Sequence, residues 1–170
     1  AKRGVLVLAH RQELLGQAKD KLERALEGKA KVDIEQGERH ASKEARILVA
    51  SLRSLHEERL GRVLAGRDIG LIIYDECHHA TAADNKRILE AIGVFEPDWP
   101  GTLLGFTATT KRADGVGLEQ VFEEIVYSRT MIQMIEDGYL TPLRGYRIAS
   151  GADLRALSAE GQDFSAEQLG

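Results

Sequence analysis

The stretch Gly70–Ala80, GLIIYDECHHA, decides the fold. Leu71, Ile72, Ile73 and Tyr74 form a run of large apolar residues behind a glycine, which suits a strand buried on both faces, as in a parallel α/β sheet. The run ends on two adjacent carboxylates, Asp75 and Glu76, followed by Cys77, His78 and His79. In open parallel sheets ligands gather outside the carboxyl ends of the strands, so these polar residues stand where a site would be built.

Outward from this strand, short β-like runs alternate with helical periodicity, the pattern of a βαβ sheet. Gly4–Ala9 (GVLVLA), Val32–Ile34, Ile47–Ala50 (ILVA) and Thr102–Phe106 (TLLGF) read as strands, and Leu143–Ile148 as a final one. Leu15, Ala18, Leu22 and Ala25 share one helix face, with Gly28 placed to end the helix. Leu52, Leu55, Leu60, Val63 and Leu64 suggest a second helix, and Ile88, Leu89 and Ile92 a third that Asp84 would cap. Thr130 and Gln133 have capping-box spacing ahead of a helix over 131–137, which Gly138 can terminate. From Ala149 onward the chain is polar, rich in small residues, and reads as a linker.

The 170 residues suffice for one domain with a sizeable core, and 43% hydrophobic with 29% charged residues is an ordinary globular composition. No apolar run approaches the length of a membrane span, and the opening AKRGVLVLAH reads as a strand rather than a signal peptide. A cytoplasmic location and no membrane partner are expected. Cys77 is the one cysteine, which excludes an intrachain disulfide and a cysteine-rich zinc framework. A zinc site at Cys77, His78 and His79 would need completion by the distant His10, His40 or His56. The net charge is −4, but residues 1–60 carry 13 basic and 10 acidic side chains, so phosphate-backbone contacts are expected mainly from the first third.

Two adjacent acids at a strand exit match a Walker B arrangement. One carboxylate, Asp75, holds Mg²⁺, usually through water, and the next, Glu76, orients or deprotonates the water that attacks a terminal phosphate. The bland alternative is a solvated strand end. The Thr102–Phe106 strand delivers Thr107, Ala108 and Thr109 to the same sheet edge, and such small hydroxyl residues also serve as ordinary turn formers. His10 and Arg11 fall at a strand-to-helix junction, where a helix amino terminus and a guanidinium can hold phosphate. Two lookalikes fail: His56, Glu57 and Glu58 lack the second histidine of HExxH at Leu60, and Gly115, Val116 and Gly117 lack the last glycine of GxGxxG at Gln120.

With these motifs in place, the sequence resembles the first motor domain of superfamily 2 helicases, the DEAD/DEAH-box group, and looks nearest to DNA-repair and restriction-type members. The similarity runs over roughly 4–148 and is most specific in DECH at Asp75–His78 and GFTATTKRADG at 105–115. It implies a RecA-like parallel sheet flanked by helices, of the P-loop NTPase type and incomplete at its N-terminal end. It assigns Asp75 to Mg²⁺, Glu76 to water activation, and His78 to a link with the threonine motif, through hydrogen bonds to the Thr107 and Thr109 hydroxyls. Arg112, Asp114 and Gly115 match the RxDG that follows that motif. His10 and Arg11 match a motif that grips one nucleic-acid strand, and Ser51 with Arg53 a second, weaker one.

The chain contains no GxxxxGK[ST] phosphate-binding loop, the largest departure from the family pattern. The resemblance places that loop upstream of the Gly4–Ala9 strand, and its own strand beside Thr102–Phe106, whose edge is then expected to be exposed. It implies a partial motor domain over 1–148, a linker over 149–170 toward a second RecA-like domain, and a parent ATP-dependent helicase acting on DNA in preference to RNA. Turnover by this stretch alone is expected to be absent. The alternatives are a non-enzymatic nucleic-acid-binding module of the same fold, or another P-loop-type hydrolase, against which the linked DECH and TAT motifs speak.

Overall fold

The computed structural model describes residues 3–109 and 117–145. Contacts divide the chain into two units, 1–126 and 127–170.

The first unit is built on a five-stranded sheet of order β2-β3-β1-β4-β5, from β1 (Gly4–Ala9), β2 (Val32–Glu35), β3 (Ile47–Ser51), β4 (Ile69–Asp75) and β5 (Thr102–Phe106). Every neighbouring pair is parallel, so all strand exits lie along one edge. This is the parallel α/β sheet expected from the alternating pattern, and it fits the RecA-like architecture that the family resemblance implies. Side chains alternate across β1: Leu6 and Leu8 join a core on one face, Val7 and Ala9 a core on the other. The helix α1 (Gln12–Leu26) packs Leu15, Ala18 and Leu22 against Val7, Val32 and Val49. Helices α2 (Glu57–Leu64) and α3 (Ala83–Ile92) cover the opposite face through Leu60, Val63, Ile88 and Leu89.

Several expectations need correction. β4 is sealed on one face only: Ile72 and Tyr74 are buried, while Leu71 and Ile73 are half-buried, because α1 packs on β2, β3 and β1 rather than on β4. The helix expected from Leu52 onward is split into a 3-10 turn, Leu52–Ser54, and α2, with the extended His56 as the N-cap between them. Asp84 lies inside the first turn of α3, whose N-cap is Ala82. There its carboxylate favours the positive end of the helix dipole without capping it. Residues 143–145 form no strand, and the rest of the expected Leu143–Ile148 strand lies outside the described residues.

β5 is an outer strand of the sheet, and Leu104 and Phe106 are exposed on it, 39% and 59%. Among the described residues no strand lies beyond β5, in keeping with the exposed edge that the resemblance implied. Gly105, opposite Tyr74 on β4, is required by close approach: a Cβ there would stand 2.5 Å from the Phe122 ring and 2.7 Å from Cys77 Sγ. In the second unit, α4 (Met131–Glu136) has the expected capping box, in which Thr130 Oγ1 accepts from Gln133 N, Gln133 Oε1 accepts from Thr130 N, and Gly138 follows in the left-handed conformation. Arg129 and Asp137 pair across it. Among the described residues no helix is long and apolar enough to cross a membrane.

Candidate functional site

Parallel register brings the candidate residues to one edge. Ala9 stands opposite Ser51, Leu8 opposite Tyr74, and Asp75 opposite Phe106, so His10, Asp75, Glu76 and Thr107 leave the sheet at one level. Glu76 takes a left-handed backbone, φ 54° and ψ 48°, immediately before the 3-10 turn Cys77–His79. A side chain with a Cβ adopts this region at a cost of about 1–2 kcal/mol, a cost concentrated here on a candidate catalytic acid.

His78 reaches across to the neighbouring strand exit, with Nδ1 2.9 Å from Thr107 Oγ1. Thr107 Oγ1 also donates to Thr109 O (3.0 Å) and accepts from Thr109 N (3.0 Å). His78 Nδ1 also stands 3.4 Å from Glu76 Oε2. One imidazole thus touches both the acid at the β4 exit and the hydroxyl at the β5 exit. Thr109 joins this network through its backbone, which bonds Thr107 Oγ1 in a local turn.

Asp75 and Glu76 are the carboxylates available to a hard cation, and no group of three or more metal-ligating side chains occurs among the described residues. Mg²⁺ keeps several waters and is commonly bound by one or two carboxylates plus substrate phosphates, a donor set this pair fits. Behind them the interior is apolar. Burial pushes the Tyr74 hydroxyl well above its ordinary value of 10.0, with Cys77 adding to the effect. Burial likewise pushes the Cys77 thiol up to about 11, helped by the charges of Glu76 and Asp75.

The proposed strand-gripping residues divide. Arg11 is exposed at the N-cap of α1, which has no side-chain cap, and His10 is half-buried beside it. Ser51 is 2% exposed, so its hydroxyl faces the interior rather than a backbone phosphate; it ends β3, which β2 and β1 flank. Arg53 is the exposed residue of that exit. Arg112 lies outside the described residues.

Two features escaped sequence reasoning. Glu35, at the β2 exit, is fully buried and meets Arg59 Nε at 2.5 Å, Arg62 Nη2 at 2.5 Å, Ala41 N at 2.8 Å and His40 Nδ1 at 3.2 Å. Arg59 also donates to Gly37 O and Arg39 O, and Gly37 N donates to Ser54 Oγ, which ties the loop after β2 to the Arg53 turn. Burial raises the Glu35 pKa, but hydrogen bonds from Ala41, Arg59, His40 and Arg62 outweigh it and hold the carboxyl below its ordinary 4.5. The second feature is a row of rings: His10 stacks on His79 at 4.9 Å and 27°, and His79 meets His78 at 4.0 Å and 44°. The adjacent His78 and His79 were the one available hint.

Residues 1–112 match the family described as type III restriction enzyme, res subunit. The chain is 38% identical over 149 residues to a Schizosaccharomyces pombe protein named as the mitochondrial ATP-dependent helicase irc3, covering 88% of the chain and 24% of that protein. It is 32% identical over 165 residues to the ATP-dependent helicase IRC3 of Saccharomyces cerevisiae, covering 96% of the chain and 24% of that protein. It is also 33% identical over 85 residues to the Escherichia coli type I restriction enzyme EcoAI endonuclease subunit, covering 50% of the chain and 10% of that protein. The chain therefore spans about a quarter of the length of the two yeast relatives it matches. The cytoplasmic location expected from composition is overturned: the S. pombe relative is mitochondrial by name, and the composition of a domain does not encode its compartment.

Proposed function

We propose, for a chain that belongs to the type III restriction enzyme res-subunit family of superfamily 2 helicase-like domains, that it supplies the first RecA-like motor domain of an ATP-dependent helicase or translocase. The observation that carries this reading is the His78–Thr107 contact of 2.9 Å, which joins the acid-bearing exit of β4 to the threonine exit of β5. A motor needs the terminal phosphate sensed on one strand to be felt on the next, and a side-chain bridge between strand exits does that.

In this reading Asp75 holds Mg²⁺ through water and Glu76 polarises the attacking water. Mg²⁺ held there by Asp75 would supply positive charge to offset the negative charge that develops on the transferring phosphoryl group. His78 keeps Glu76 and Thr107 in register, Thr107 and Thr109 relay the state, and Arg112 acts after them. His10, Arg11 and Arg53 hold nucleic-acid backbone, and the buried Ser51 supports the β3 exit. DNA is preferred to RNA, in keeping with the restriction-type relatives. Residues 1–148 belong to the motor domain and 149–170 lead toward a second RecA-like domain, with which the chain would close a nucleotide cleft.

The test is ATP turnover with and without single-stranded and duplex DNA, on this chain and on a longer protein carrying both motor domains. DNA-stimulated turnover in the longer protein that disappears in Glu76→Gln is the expected result. A longer protein that binds DNA but never hydrolyses ATP would replace the motor reading with that of a binding module.

A further inference from the structure

The motor reading leaves one ring unused. His79 lies between the two halves of the site: its ring stacks on His10 at the β1 exit (4.9 Å, 27°) and contacts His78 (4.0 Å), which in turn holds Thr107 at 2.9 Å. β1 and β4 are adjacent strands, so this row crosses the boundary between the proposed strand-gripping exit and the proposed nucleotide exit. Resting on the motor reading, we infer that His79 is a positioning residue that couples the two, passing displacement of the Glu76–His78 turn to His10 and thence to Arg11 at the start of α1.

Three observations support a mechanical link. First, the turn carrying both histidines is tied to Glu76 at one end and to α3 at the other: His79 N donates to Glu76 O at 3.0 Å, and Asn85 Nδ2 donates to His79 O at 2.9 Å. Second, His10 Nδ1 is buried with no hydrogen-bond partner among the described residues, so the face of His79 contributes to where the His10 ring sits. Third, packed rings are nearly incompressible, and contiguous packed side chains are a physical route for coupling between sites.

The experiment measures the affinity of a fluorescent single-stranded DNA oligonucleotide by anisotropy, with and without a non-hydrolysable ATP analogue, in the full-length protein. Coupling between sites typically changes affinity about 5- to 150-fold. In His79→Ala the nucleotide-free affinity is expected to stay within about twofold of wild type, while the nucleotide-induced change collapses to about twofold or less. His79→Phe keeps a planar face for His10 and is expected to retain most of the change. Full coupling in His79→Ala overturns the inference, and so does equal loss in the alanine and phenylalanine variants, which would assign the effect to something other than the stack. A wild-type protein whose DNA affinity ignores nucleotide, and whose turnover is unaffected by Glu76→Gln, overturns the motor reading and this inference together. Nucleotide-insensitive affinity with Glu76-dependent turnover overturns the coupling alone.

Discussion

Glu35→Gln probes the buried Glu35–Arg59 ion pair. The carboxylate is fully buried, and its main partner, the Arg59 guanidinium, is only 9% exposed. Making position 35 neutral leaves Arg59 in the interior without a counter-charge, and removing one partner of a buried pair costs about 3–5 kcal/mol. Arg62 is 44% exposed and can turn to water, so it adds little. The glutamine retains an acceptor oxygen for Ala41 N, which puts the expected loss near the low end, about 3 kcal/mol. That corresponds to a fall of roughly 10 °C in the melting midpoint of a domain this size. Urea unfolding followed by circular dichroism measures it, in Glu35→Gln, Arg59→Met and the double variant, and the double variant should recover much of the loss because no charge is left orphaned. The pH dependence has a definite sign. A carboxyl held below its ordinary 4.5 contributes stability that is complete above that value and is lost as pH falls through the lowered folded value. The Gln variant should therefore lose less stability than wild type on acidification from pH 5 downward. A loss below about 1 kcal/mol in Glu35→Gln, or a double variant as damaged as the sum of the singles, would refute the reasoning.

Further outcomes follow from the core and the strand exits. Tyr74 Oη is buried with no partner among the described residues, so Tyr74→Phe should be neutral or stabilising by about 1 kcal/mol in urea unfolding, and a loss above about 1 kcal/mol would mean the hydroxyl is bonded. The raised Tyr74 and Cys77 values favour the protonated folded forms, so wild-type stability should decline as pH rises above about 9, and Tyr74→Phe should decline less steeply. Because Cys77 is buried with its thiol pushed up to about 11, iodoacetamide at pH 8 should label it at the rate of unfolding, and prompt labelling of the native chain would contradict its burial. Gly105→Ala drives a methyl into Phe122 and Cys77 and should cost about 1–3 kcal/mol, read as a lowered urea midpoint. Glu76→Gly relieves a left-handed backbone and should match or exceed Glu76→Gln in stability by up to about 1 kcal/mol, while both lack turnover in the longer protein.

The parts of the fold carried by local pattern were legible. Short continuous apolar runs located β1 and β3, the Leu15–Leu22 stripe located α1, and the Thr130–Gln133 pair located the start of α4, because each signal involves residues within a turn or a strand of one another. The half-open face of β4 was not legible, since it depends on where α1 lands after the chain has crossed over to β2. Ser51 shows the same limit at the level of one residue. A hydroxyl at a strand exit reads as available, and only the packing of β3 between β2 and β1 reveals that it points inward. Glu35 and Arg59 are 24 positions apart, and nothing in VDIE or EERLGRVL marks either as buried until α2 is laid over the sheet.

The strand order itself argues for the division of labour at this edge. β1 sits between β3 and β4, so residues suited to phosphate backbone, Arg11 and Arg53, leave the sheet from β1 and β3, while the acids and threonines leave from β4 and β5. A parallel ladder resists shear, and its registers hold the strand exits at fixed heights. The proposed coupling between the two pairs runs above this ladder. Above the junction of β1 and β4 the described structure holds the stacked rings of His10 and His79, and beyond them His78 on Thr107. The segment that carries these histidines starts from the one candidate catalytic residue whose backbone is held in a strained conformation, Glu76. A change at Glu76 is thus delivered to Thr107 on one side and to His10 on the other by the same short turn, which is why a substitution at His79 can separate coupling from binding.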